Sequence, residues 1–270
     1  MMKIHTAAAT LVLGIACSPA QAQCSRALVV PVTITGYAAT VIEGQVHGIY
    51  PDLLRTEAAS VGCAISFQIV PRARQEMLFT TGHADLLLPA RRVTRRDDDG
   101  IFVPMIRSRP VLISLASRAL RFHALPELLG RETLRVGIMR GYDYGEGYQA
   151  MVQQLAAQRR LTEATDPISL ARMLVDGSID VAVITPTALT GALSANAKYR
   201  QLIQQLHMDP VPELPWGESG AYVTRAASLS DADRQIVLHM VEHIARSGAV
   251  WRGFQHYYPD PRLGDSIGPP

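Results

Sequence analysis

"PRARQEMLFTTGHADLLLPARRVTRR", residues 71–96, decides how the rest of the chain is read. Pro71 suits the first turn of a helix, whose missing N–H costs nothing there, and Gly82 stops that helix. Asp85 then leads into Leu86-Leu87-Leu88, an apolar run short enough for a strand buried on both faces. Directly beyond it stand Pro89 and four guanidinium groups, Arg91, Arg92, Arg95 and Arg96. In an open parallel sheet, ligands bind outside the carboxyl ends of the strands. Four cations at that place read as an anion-binding mouth, with a solvated loop as the alternative.

The same grammar returns in "PISLARMLVDGSIDVAVITP", residues 167–186. Ala73-Arg74, Met77-Leu78, Gly82, Asp85 and Pro89 find counterparts in Ala171-Arg172, Met173-Leu174, Gly177, Asp180 and Pro186. The spacings differ by a residue or two, which suits two similar α/β lobes better than a solenoid. Between and around these segments strands alternate with helices. "ALVVPVTITGY" and "AISFQIV" are β-rich, while "GIYPDLLRTEAASVG" carries Leu53, Leu54, Ala58 and Val61 on one helical face. "TLRVGIM" is followed by the Gly-rich turn "RGYDYGEGY" and the helix "QAMVQQLAAQRR". Such alternation implies βαβ crossovers and an α/β fold with mainly parallel sheets. Near the end, "LSDADRQIVLHMVEHIARSG" is a long amphipathic helix capped by Ser230 or Asp231, and a short helix with Trp251 and Phe254 follows. The Pro/Gly-rich stretch after Tyr258 reads as a loose end.

Composition bounds the partners. Residues 1–22 have Lys3 near the start, an apolar run from Ala7 to Ala16 and the small-x-small ending Ala20-Gln21-Ala22, the pattern of a cleaved export signal. Removing them takes away one Lys and no acid, so the formal charge falls from +2 to +1. That balance gives nucleic acid no basic face to bind. No later segment reads as a membrane span, so the mature chain is expected to be soluble and exported. Its two cysteines, Cys24 and Cys63, read as a disulfide in an oxidising compartment. The eight histidines are scattered and no HExxH or paired CxxC occurs, so neither metal nor cofactor is expected.

Taken in order, "GIYPDLLRTEAASVG", "PRARQEMLFTTGHADLLLPARRVTRR", "LRVGIMRGYDYG", "MLVDGSIDVAVI" and the closing helix pair resemble the bacterial extracellular solute-binding proteins of the polar amino acid type. The resemblance covers nearly the whole mature chain. It implies a two-lobed type-II periplasmic binding fold with a two-strand hinge and the ligand held between the lobes. Lobe one is then residues 24–115 plus 218–270, and lobe two the inserted 116–217. The resemblance also assigns roles: Arg96 grips a ligand carboxylate, Tyr37 packs over the ligand, and the turn Gly141-Tyr142-Asp143 offers backbone N–H groups. Arg72, opening its helix toward the cleft, is a second cation, and Arg74 is read as pairing with Glu76 or the facing lobe. Arg91, Arg92 and Arg95 are read as solvated or acid-paired.

Two departures weigh against a standard α-amino acid ligand. Ala90 and Arg92 stand where the family carries hydroxyl residues, and Thr185 stands where it carries an Asp for the ligand ammonium. Asp143 is the candidate to substitute for that acid. The expected function is a monomeric, non-catalytic periplasmic protein that captures a small anionic solute for a membrane transporter or sensor. The alternative is a dehydratase of the prephenate or arogenate type on the same fold, which needs a positioned acid. Thr185 leaves the obvious place without one, and Glu218 is the remaining candidate. No GxSxG elbow supports serine chemistry.

Overall fold

The computed structural model describes residues 24–258 and 264–270; the expected export signal at 1–22 lies outside the described residues. The chain begins with β1 (Leu28–Val32), the short hairpin β2 (Thr40–Ile42) and β3 (Gln45–His47), and α1 (Ile49–Ser60). β4 (Ile65–Ile69), α2 (Arg72–Thr80), β5 (Leu86–Arg91) and the single turn α3 (Thr94–Asp97) follow. β6 (Gly100–Ser108) and β7 (Val111–Leu115) lead into α4 (Leu125–Gly130), β8 (Val136–Met139), α5 (Glu146–Ala157), β9 (Leu161–Ala164), α6 (Pro167–Val175), β10 (Val181–Ile184) and α7 (Pro186–Ala195). β11 (Leu206–Asp209), β12 (Gly217–Thr224), α8 (Asp231–Ser247), α9 (Ala249–Tyr257) and β13 (Ile267–Gly268) complete the chain.

The strands form two bodies. β1 pairs in parallel with β4, and beside them lies a four-stranded sheet in the order β13-β6-β12-β5, antiparallel throughout. The second body is a five-stranded sheet, β11-β7-β10-β8-β9, parallel from β10 to β9 and antiparallel at β7 and β11. The α/β, two-lobed class stands, with mixed sheets in place of mainly parallel ones. The cause is the crossing: β6 runs on into β7 and β11 returns toward β12, so each sheet receives an antiparallel pair. Strand Val111–Leu115, expected with the first lobe, is hydrogen-bonded in the five-stranded sheet, so the outward crossing falls at Arg109–Pro110. The return runs from Pro210 to Trp216, whose ring lies under the guanidiniums of Arg107 and Arg109 at 5.2 and 5.1 Å.

Burial follows the two-residue period of a strand covered on both faces. Val181 and Val183 pack with Tyr148 and Leu155 of α5, whereas Ala182 and Ile184 pack with Leu170, Leu174 and Leu189 of α6 and α7. The repeated Gly-x-x-Asp signal has a structural cause in both halves. Gly82 and Gly177 leave their helices at φ +72° and +73°, the left-handed conformation that glycine adopts without strain. Asp85 then accepts the N–H of Val29 at 2.7 Å, and Asp180 that of Arg135 at 2.9 Å. Each carboxylate thus ties the start of its strand to its neighbour.

Cys24 and Cys63 are bonded, with Cα atoms 5.0 Å apart, fastening the chain before β1 to the end of α1. Ser230 caps α8 through the N–H of Asp233 at 3.1 Å, and Gly248 ends it at φ +68°. Of the end expected to be loose, the described residues 264–270 are fastened: Ile267 is buried, and β13 pairs with Arg107 and Ser108. Among the described residues no helix is long and apolar enough to cross a membrane.

Candidate ligand-binding site

A cavity of about 100 Å³ lies where the two bodies meet. The first contributes Thr35, Tyr50, Arg72, Pro89, Arg91 and Tyr258 to its wall, and the second Tyr142, Asp143, Tyr144, Thr185 and Thr187. Its foundation is Gln75, fully buried one turn into α2. The Gln75 amide donates to the carbonyls of Pro31 and Leu88 at 2.9 and 3.0 Å and accepts from Thr33 and Arg72 at 3.0 Å each. Every hydrogen-bonding capacity of this amide is used, which fixes the ends of β1 and β5 against the start of α2.

The four arginines take four different places. Arg91 ends β5 and faces the cavity, where its Nη atoms donate to the carbonyls of Ser108 (3.0 Å) and Pro215 (3.1 Å). It makes no salt bridge among the described residues, and burial lowers its pKa from the ordinary guanidinium value without discharging it. Arg92 is exposed beside Asp97 and Glu218, at 3.5 and 3.4 Å. Arg95 reaches across to the second body and donates to Asp143 at 2.9 Å. Arg96 is 0% exposed and does not line the cavity. Its Nε and Nη2 clamp the Glu76 carboxylate at 2.9 and 2.7 Å, and its Nη1 donates to the carbonyl of Arg91 at 2.6 Å.

Arg96, expected at the ligand, has its guanidinium taken up by Glu76, and it is Arg91 that stands at the cavity wall. A bulge decides this. Leu87 pairs with Tyr222 and Ala90 with Gly220, so three steps on β5 oppose two on β12. The extra residue reverses the alternation, sending Ala90 into a core cluster with Leu87, Phe79 and Tyr222, and turning Pro89 and Arg91 to the cavity. Ala90 is accordingly a packing residue. α3 then folds Arg96 back under α2, where Glu76 needs a partner.

Arg72 does line the cavity, held by Gln75, by the carbonyl of Pro89 at 2.9 Å and by Glu76 at 2.5 Å. Glu76 therefore holds Arg72 on one side and Arg96 on the other. The i,i+4 spacing of Arg72 and Glu76 was the available signal, and pairing Glu76 with Arg74 missed it. Tyr37 does not line the cavity: its ring stacks on Tyr257 at 4.8 Å and meets Tyr258 edge-on. Tyr258 takes the aromatic position, donating its hydroxyl to the Thr187 carbonyl at 2.7 Å across the two bodies.

In the turn after β8, Tyr142 and Asp143 line the cavity and Gly141 does not. Gly141, at φ +79°, lies against α2, where an added Cβ would come within 2.8 Å of the Ala73 nitrogen. Asp143 accepts the N–H of Gly145 at 2.9 Å, so part of the N–H array expected for a ligand is taken by the chain's own carboxylate. Burial pushes the Asp143 carboxyl up, but the Gly145 N–H and Arg95 outweigh it and hold the group below the ordinary range. Glu76 behaves alike: burial raises it, while Arg72, Arg96 and Arg95 draw it below. Thr185 stands at the cavity ahead of α7, with its N–H 3.3 Å from the Tyr144 hydroxyl. Tyr50, Tyr144 and Tyr258 were missed from the sequence, where an aromatic in a helix or turn carries no sign of facing a cavity.

These features define the class: a two-lobed α/β protein of the type-II periplasmic binding fold with a cation-bearing cavity between the lobes. Its structural neighbours are substrate-binding proteins of amino acid ABC transporters. A histidine-bound ABC uptake transporter substrate-binding protein from Streptococcus pneumoniae superposes with a TM-score of 0.70 at 14% identity, covering 89% of this chain and 96% of its own. An amino acid ABC transporter substrate-binding protein from the same organism, bound to L-arginine, gives 0.65 at 19% identity over 85% and 92%. An ancestral amino acid-binding protein described as a precursor of cyclohexadienyl dehydratase gives 0.65 at 16% identity over 86% and 95%. No protein-family model and no curated protein matches the sequence.

Proposed function

We propose that this chain is an exported, monomeric solute-binding protein, released from its signal near Ala22, that captures a small carboxylate-bearing ligand between its lobes. It delivers that ligand to a membrane transporter, with a sensor as the other possible recipient. The lobes divide at the two crossings, residues 24–109 with 217–270 against 110–216. The observation that carries the reading is Arg91, a guanidinium facing an interlobe cavity and, among the described residues, paired with no carboxylate. Beside it Arg72 is positioned by Glu76 and Gln75, so the two cations form a preorganised carboxylate seat. The neighbouring folds bind amino acids for ABC transporters, and this supports the transporter over the sensor.

The dehydratase reading is the weaker one. Its candidate acid, Glu218, is half exposed beside Arg92 and is not on the cavity wall, and the wall's own acid, Asp143, is held ionised. An ionised, ion-paired carboxylate is a poor proton donor to a leaving hydroxyl.

The test is a thermal-shift screen of small carboxylates against the mature protein, followed by calorimetric titration of wild type and Arg91→Ala. A binder should raise the melting temperature through linkage and be recovered unchanged. Arg91→Ala should weaken binding by about 30-fold or more, equivalent to about 2 kcal/mol or more for a buried charge partner. Equal binding by the variant, or turnover of prephenate or arogenate at enzymatic rates, overturns the proposal.

A further inference from the structure

We propose that the ligand of this cavity is a small organic anion without an ammonium group, and that the Tyr50 hydroxyl donates a hydrogen bond to it. The inference rests on the reading of the cavity as a solute site and narrows its chemistry. It follows from a count of acceptors and donors. Four guanidiniums, Arg72, Arg91, Arg95 and Arg96, surround two carboxylates, Glu76 and Asp143, leaving two positive charges uncompensated. Asp143 is the acid on the wall, and both of its oxygens are engaged, by Arg95 and by the Gly145 N–H. The wall carbonyls an ammonium could use each already accept one bond: Pro89 from Arg72, Ser108 from Arg91 and Thr187 from Tyr258. An ammonium placed here would meet the guanidiniums of Arg72 and Arg91, and among the described residues the wall offers it no carboxylate that is not already ion-paired.

Donors, by contrast, are in surplus. Tyr50 is 2% exposed, lines the cavity, and its hydroxyl has no hydrogen-bond partner among the described residues. Burial pushes its pKa up, so it stays an O–H donor. A buried hydroxyl without a partner is a cost to the empty protein that a ligand oxygen removes. Arg91, the wall cation that pairs with no carboxylate among the described residues, supplies the charge for the same anion.

The experiment titrates the mature protein with acids and the α-amino acids of matching skeleton: pyruvate and L-lactate against L-alanine, succinate and L-malate against L-aspartate. In whichever pair binds, the acid should bind at least about tenfold tighter, since the amino acid leaves its ammonium unpaired. An amino acid that binds as tightly as its matched acid, or more so, overturns the inference and leaves the solute-binding reading intact. If neither series binds, nor shifts the melting temperature of wild type, the reading of the cavity falls with it. Tyr50→Phe separates a ligand donor from a structural hydroxyl. The empty variant should melt at the same temperature or higher, while affinity for the acid falls about tenfold. Unchanged affinity, or a lower melting temperature of the empty variant, overturns the role of Tyr50.

Discussion

Replacing Arg96 with Ala tests the division of labour among the four arginines. The side chain is fully buried and donates three hydrogen bonds, two of them to Glu76 and one to the carbonyl of Arg91. Breaking a buried ion pair by removing one partner typically costs about 3–5 kcal/mol, because the other charge is left without compensation. Glu76 keeps Arg72 at 2.5 Å and Arg95 at 3.7 Å, which places the expected loss at the lower end, about 3 kcal/mol. For a chain of this size each kcal/mol corresponds to about 2–4 °C, so the melting temperature should fall by about 6–12 °C. Arg96→Lys should recover only part of this, since a point charge cannot span both carboxylate oxygens. Urea unfolding followed by far-ultraviolet circular dichroism gives the stability, and titration with the best carboxylate gives the binding. Affinity should fall modestly, through looser positioning of Arg72. A variant that keeps its stability within about 1 kcal/mol but loses all binding would refute the assignment and return Arg96 to the ligand.

Gly191→Ala would favour helix α7 by about 1 kcal/mol, but its Cβ would collide with the Tyr258 hydroxyl and come within 2.9 Å of the Gly36 Cα, both on the other lobe, so the approach of the two lobes should weaken. Small-angle scattering with saturating ligand should then show a more open particle than wild type; equal compaction would refute the contact. Reducing the Cys24–Cys63 bridge, which spans 39 residues, should cost about 4 kcal/mol by loop entropy. Urea midpoints with and without reductant measure it, and unchanged midpoints would refute it. Glu76 and Asp143 titrate below the ordinary carboxyl range when folded, so their stabilisation is complete above the unfolded value, about pH 4, and is lost as pH falls through the folded values. Urea midpoints should be flat from neutral pH down to about 5 and drop below it, and Asp143→Asn should make that drop shallower; an unchanged slope would remove Asp143 from the pH response.

Local signals carried the architecture because each acts within its own segment. Gly82 and Gly177 end helices by backbone conformation, and Asp85 and Asp180 tie strands whatever lies around them. The alternating strands and helices, the capped α8 and the disulfide were legible for the same reason. The site was less legible because it depends on parity, and parity on β5 is set by its partner. Read alone, Leu86, Leu88 and Ala90 share a face and Arg91 points away from it. Pairing with β12 inserts one residue between Leu87 and Ala90, and every side chain beyond it changes face. Pro89 sits where the ladder is already irregular and its missing N–H is tolerated. Once Arg91 faces the cavity, Arg96 lies on the other side of the turn and Glu76 is the acid within its reach. One inserted residue therefore separates the arginine that can meet a ligand from the arginine that holds the frame, and nothing in the run "ARRVTRR" alone distinguishes them.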